Sequence, residues 1–113
     1  MHELTLAEHA LRIVEKSAHQ ADATRVTRIK LAIGALAHVD PETMRYCCEM
    51  VSRGTLADGA CIEIVHSPGR ACCADCGAEV ELKQLGESCP HCGSYRLDVC
   101  DGDQMLVVDI GIV

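Results

Sequence analysis

Apolar spacing divides the chain into a few regular stretches. Leu4, Ala7, Leu11, Val14 and Ala18 recur at three- and four-residue steps, while Glu8, Arg12, Glu15 and Lys16 fall largely off that line. This is the stripe of an amphipathic helix over about residues 6–19. Thr5-Leu6-Ala7-Glu8 before it reads as a capping box, with the Thr5 hydroxyl accepting from the Glu8 N–H and Glu8 reaching back. Over residues 25–34 the period changes to two: Thr27, Ile29, Leu31 and Ile33 alternate with Arg28, Lys30 and Ala32. That alternation predicts a strand with one buried and one wet face. Residues 34–39 read as a connection. Asp40-Pro41 then opens a second helix, Asp40 as N-cap and Pro41 at the first helical position. Met44, Cys47, Cys48 and Val51 give its apolar face, and Gly54 follows its expected end near Arg53. Cys61 to His66 is a second strand. Leu106, Val108, Ile110 and Ile112, alternating with Val107, Asp109 and Gly111, make a long last one.

Residues between the last two strands have a different character. Pro68-Gly69 breaks the pattern, and two cysteine knuckles follow, Cys73-Ala74-Asp75-Cys76-Gly77 and Cys89-Pro90-His91-Cys92-Gly93. Each is a C-x-x-C, and twelve residues, 77 to 88, separate them. Such a pair wraps a turn around one metal with backbone N–H groups aimed at the sulfurs. Two turns supply four thiolates, the shell of a structural Zn(II) site. Buried cysteines or disulfides are the alternative. Cys72 offers a second first ligand, but only Cys73 leaves the two-residue gap to Cys76. The pattern therefore predicts an α+β fold: two helices packed on a small mixed β-sheet, with an inserted zinc-ribbon-like domain carrying both knuckles. The main domain is discontinuous, 1–67 plus 98–113, and the insertion is 68–97, tethered so that it can hinge about Ser67-Pro68-Gly69.

Composition sharpens this picture. The chain has 113 residues with neither Phe nor Trp and only two Tyr, so the core must be aliphatic. A subdomain of about 25 residues with almost no large apolar side chains needs a staple, and bound metal supplies folding free energy. The formal net charge is −7, and no basic stripe or stacking aromatic cluster is present. Both count against nucleic acid, which a zinc ribbon otherwise often binds. A rubredoxin-like iron site shares the C-x-x-C-Gly form but lacks its aromatic core here. Nine cysteines, an odd number with four of them in metal spacing, without a signal peptide or a membrane-length apolar run, point to a reducing cytoplasm. No Ser/His/Asp set, phosphate loop or carboxylate pair supports an enzyme.

The N-terminus offers a second kind of site. His2 follows the initiator directly, and its size favours retention of Met1. The Met1 amine, the His2 amide and the His2 imidazole Nδ1 are then preorganised to close a five- and a six-membered chelate ring, with the Glu3 amide or a carboxylate completing four positions. A planar nitrogen set selects Ni(II) or Cu(II) over Zn(II). From spacing alone a solvated terminus reads the same way.

Met1-His2-Glu3, the helix after it, Arg25-Val26, Ile33-Gly34-Ala35-Leu36, Val51-Ser52-Arg53-Gly54-Thr55, Asp58-Gly59 and the two knuckles together resemble the HypA/HybF family of nickel metallochaperones of [NiFe]-hydrogenase maturation. The resemblance spans essentially the whole chain. It implies an α/β nickel domain with a separate zinc domain, Ni(II) carried by Met1, His2 and Glu3, and structural Zn(II) on Cys73, Cys76, Cys89 and Cys92. It also implies delivery of nickel to the hydrogenase large-subunit precursor together with a HypB-type GTPase, and in some members service to urease maturation factors. It implies neither a nucleic-acid nor a membrane partner. Asp40 and His91 stay open as additional groups near nickel.

Overall fold

The computed structural model describes residues 2–113. Elements run in the order α1 (His2–Gln20), β1 (Val26–Gly34), α2 (Pro41–Ser52), β2 (Cys61–Ser67), β3 (Gly69–Cys73), β4 (Glu79–Leu82), β5 (Leu97–Asp101) and β6 (Met105–Ile112). They form two three-stranded sheets, ordered β2-β1-β6 and β4-β3-β5. The chain divides into two compact units: Met1–Ala32 with Val39–Val65 and Leu106–Val113, and Ile33–His38 with His66–Met105. The α+β architecture with two helices, a mixed sheet and a cysteine-bearing insertion is the one observed.

In the first unit α1 and α2 pack against each other and against β1. Ala7, Ala10, Val14 and Ala18 of α1 are buried, as are Met44, Cys47 and Cys48 of α2. Three alanines on one stripe let the helix backbone approach closely, which suits a core without aromatic rings. Burial pushes the Cys48 thiol up to about 11, so it acts as a small apolar side chain. Asp40 caps α2 as its sequence predicts, accepting from the Thr43 N–H at 3.0 Å. Gly54, just past the helix, has φ +76.

β1 is the central strand. Its N–H and carbonyl groups meet β6 at both ends: Val113 N–H donates to the Arg25 carbonyl, and Gly34 N–H to that of Gln104. Residue numbers thus run in opposite senses, and β1 and β6 are antiparallel. β2, reached through the α2 crossover, runs alongside β1 with Ala35 N–H on the Ser67 carbonyl. Arg28 on β1 reaches Asp109 of β6 at 2.8 Å and Glu63 of β2 at 3.5 Å, an exposed ion-pair triad lying across the sheet.

Two sequence expectations need correcting. Helix α1 begins at His2, so Thr5 and Glu8 lie inside it and are not its capping box. The additional turn half-buries Leu4 and Leu6 and lets Glu3 accept from the Asp40 N–H. The alternation in β1 also slips. Val26, Ile29, Leu31 and Ile33 are buried, and Thr27 is exposed. Val26 N–H is taken by the Leu56 carbonyl, which turns the first residue of the strand toward the loop after α2.

The second unit has its own sheet, which periodicity in the sequence does not announce. β3 pairs antiparallel with both β4 and β5. Its core is Leu36, Ala71, Cys73, Val80, Leu82 and Cys89, with Ala78, Leu97 and Val99 partly buried around them. Leu36 comes from the loop after β1, so the connection of the sequence reading supplies a core residue. Gly34 and Gly102 meet face to face here. A Cβ on Gly34 would lie 2.1 Å from the Gly102 carbonyl oxygen, and Leu36 N–H donates to that same oxygen at 2.8 Å.

Candidate metal centre

The two knuckles sit at the ends of short turns beyond β3 and before β5. In the first, Gly77 N–H closes on the Cys73 carbonyl at 2.9 Å and Cys76 N–H points at the Cys73 sulfur at 3.4 Å. In the second, Gly93 N–H closes on the Cys89 carbonyl at 2.8 Å. Both glycines have positive φ, +75 and +77, which a side chain would resist. The repeated Cys-x-x-Cys-Gly pattern is thus the local cause of two like turns.

Folding brings these turns together. Cys73, Cys76, Cys89 and Cys92 present sulfurs that all lie within 4.8 Å of one another. Cys73 and Cys92 sulfurs are 3.6 Å apart, and those of Cys76 and Cys89 are 3.7 Å apart. A tetrahedral Zn(II) with bonds of about 2.3 Å requires sulfur–sulfur edges of about 3.8 Å. The donor set and its spacing therefore fit a tetrahedral thiolate site for one metal ion. Cys73 and Cys89 are buried, whereas Cys76 and Cys92 are exposed at the rim. The Cys76 N–H draws the Cys73 thiol down to about 7. Cys72, the alternative first ligand, lies on the opposite, solvent face of β3.

Side chains that the motif reading passed over brace the pair of turns. Asp75, inside the first knuckle, accepts from the Arg96 guanidinium at 3.0 Å and from the Ser94 hydroxyl. Cys89 N–H donates to the Ser94 carbonyl at 2.7 Å, and Ala74 N–H to that of Arg96 at 2.8 Å. Segment 94–96 thus ties one knuckle to the other. An acidic residue between two ligands and a Ser-x-Arg after the last were the available signals. His91 is exposed and belongs to no metal-competent cluster among the described residues.

The predicted N-terminal site lies in the first unit, and Met1 is outside the described residues. His2 is exposed at the first turn of α1. Glu3 is half-buried, and its carboxyl is held below the usual range, first by its own backbone N–H and then by that of Asp40. Asp40 N–H donates to Glu3 Oε2 at 3.3 Å. Asp40 in turn accepts from the Thr43 hydroxyl at 2.5 Å and backbone N–H at 3.0 Å, and these lower its own carboxyl. The start of α1 is thereby joined to the start of α2, and Asp40, separated from Glu3 by 37 positions, becomes its neighbour. Among the described residues no helix is long and apolar enough to cross a membrane.

Comparison with known proteins agrees with this geometry. Residues 1–112 match the family described as HypA, hydrogenase/urease nickel incorporation, metallochaperone. The hydrogenase maturation factor HypA of Azotobacter vinelandii is 44% identical over 112 residues, covering 99% of both chains. That of Azotobacter chroococcum mcd 1 is 45% identical over the same length and coverage. The solution structure of the nickel metallochaperone HypA from Helicobacter pylori superposes with a TM-score of 0.76 at 19% identity, covering 98% of this chain and 97% of that one.

Proposed function

The chain belongs to the HypA family of nickel metallochaperones for hydrogenase maturation, and we propose that it carries Ni(II) at its N-terminus to the [NiFe]-hydrogenase large-subunit precursor. The Met1 amine, the His2 amide and imidazole, and the Glu3 amide supply the nickel donors. Cys73, Cys76, Cys89 and Cys92 hold Zn(II) as a structural staple. The protein acts by ligand exchange and catalyses no reaction. It works in the cytoplasm, where structural disulfides are rare and transient redox pairs are the exception, with a HypB-type GTPase as partner and urease maturation factors as a second class of client.

The observation that carries this reading is His2, exposed at the first turn of α1. At the start of a helix the backbone N–H groups of His2 and Glu3 precede the intrahelical ladder, so metal-driven loss of their protons breaks no helical bond. The positive end of the helix favours the resulting anionic nitrogens. The Glu3 carboxylate, held by the Asp40 N–H, orients the terminus while the nitrogens bind. A site this exposed can be reached by an acceptor protein that replaces its ligands one at a time. Sulfur donors in the second unit form a closed set of four that suits retention, and nitrogen donors at a chain end suit release.

Calorimetric titration of the untagged, zinc-loaded protein with Ni(II) tests the assignment. His2→Ala, or extension of the N-terminus by a tag, should abolish the nickel site and leave zinc content unchanged. Equal nickel affinity in His2→Ala would exclude it. Affinity should also fall as pH drops, because an imidazole of ordinary pKa about 6.5 and an amine near 8 must both lose protons to bind. A weak d–d band without sulfur charge transfer should accompany loading.

A further inference from the structure

The nickel and zinc readings leave two exposed thiols of the second unit unused. Cys72 lies on β3 and Cys100 on β5, and both are exposed. β3 and β5 are antiparallel neighbours, with Cys72 opposite Asp98 and Ala71 opposite Val99. The next pair is Arg70 with Asp101, so the register shifts by one residue and Cys100 is the extra residue of a bulge. A bulge re-aims its side chain. Here it sets Cys100, exposed, on the solvent face that carries Cys72, on the neighbouring strand. The same solvent face carries Arg70, paired with Glu79 at 2.6 Å. The four knuckle sulfurs form their own cluster, and Cys72 is not in it. Cys47 and Cys48 are buried, and Cys61 belongs to the other unit.

We propose that Cys72 and Cys100 are a thiol–disulfide exchange site, closing to an intramolecular disulfide at the expense of a low-molecular-weight disulfide such as oxidised glutathione. One thiol, as thiolate, attacks a sulfur of the small disulfide and expels one small thiolate. The second protein thiolate attacks the mixed disulfide, forms the Cys72–Cys100 bond and expels the other. Two protein thiols lose two protons and two electrons, and one small disulfide becomes two thiols. The bond ties β3 to β5 one residue from Cys73, which pairs with Leu97 in the same ladder. It therefore holds in register the strand that presents Cys73. The inference rests on Zn(II) occupying, and so protecting, the four knuckle thiolates.

Zinc-loaded full-length protein, its zinc content first measured by elemental analysis, is treated with oxidised glutathione, alkylated and digested with trypsin. Cleavage after Arg70, Lys83 and Arg96 puts Cys72 with Cys73 and Cys76 in peptide 71–83, Cys89 and Cys92 in 84–96, and Cys100 alone in 97–113. The expected product joins 71–83 to 97–113 through Cys72, two hydrogens lighter, with zinc retained. Cys72→Ser and Cys100→Ser should each abolish the cross-linked peptide and trap a single glutathione on the remaining thiol. A bridge through Cys73 or Cys76 with zinc release, or glutathione stably on both Cys72 and Cys100, would overturn the proposal. A low zinc content before treatment would instead count against the zinc reading, independently of this pair.

Discussion

Asp40 shows how much one side chain can organise. Its carboxylate caps α2 through Thr43, and its backbone N–H holds Glu3 at the start of α1. The Thr43 hydroxyl, then its N–H, holds the Asp40 carboxyl below its ordinary 3.8. A carboxyl lowered on folding contributes stability above its unfolded pKa, and that contribution is lost as pH falls through the lowered folded value. Asp40→Ala should therefore lower the urea midpoint at neutral pH, and the difference from wild type should vanish in strong acid. Paired urea titrations check this. The cap was legible because Asp-Pro is a local signal that needs no partner. Thr5 and Glu8 carry an equally good local signal, yet α1 starts at His2. A capping box is worth about 1 kcal/mol, and here half-burial of Leu4 and Leu6 and the contact of Glu3 with Asp40 accompany the longer helix instead.

Among elements, the decisive contacts in the second unit are between backbones. Gly102 has φ +80, and a Cβ there would lie 2.3 Å from the Pro68 carbonyl oxygen. Gly86 has φ +90 with nothing within 4 Å. Gly86→Ala should cost about 1 kcal/mol, the strain of a left-handed residue. Gly102→Ala should cost about 2 kcal/mol more, because strand backbone must also move. Thermal unfolding of the two variants measures the difference. In the first unit Leu31, fully buried on the central strand, should lose about 3 kcal/mol on truncation to Ala. Strand β1 was readable because a half-buried strand alternates. β3, β4 and β5 were not read: they are four or five residues long and are interrupted by knuckles. β6 was readable as a strand, yet Leu106 and Val108 on it are 57% and 50% exposed, a fact that alternation cannot supply.

For the whole molecule, the two compact units differ in how they are held. The first buries two helix stripes on a sheet. The core cluster of the second is six buried residues, two of them candidate metal ligands and none aromatic. A core of that size needs a staple. Stripping metal with a strong chelator should unfold residues 66–105 while the amides of α1, α2 and β1 keep their protection. Hydrogen exchange followed by mass spectrometry, with and without zinc restored, reads both outcomes. Loss of protection throughout the chain would show instead that the first unit depends on the metal.

Much of the chemistry was already in the sequence, because it is local. A C-x-x-C-Gly turn and an Asp-Pro cap each complete themselves within a few covalent bonds, and the family match extends over residues 1–112. What only tertiary structure decided is what meets across distance. It set four sulfurs at tetrahedral spacing, brought Asp40 to Glu3, placed Leu36 in the core of the second unit, and put Cys72 and Cys100 on neighbouring strands beside a bulge. The reason is that local preference fixes only backbone angles and turn types. The pairing of distant groups follows from how two sheets bury a small apolar surface, and that is a property of the whole chain.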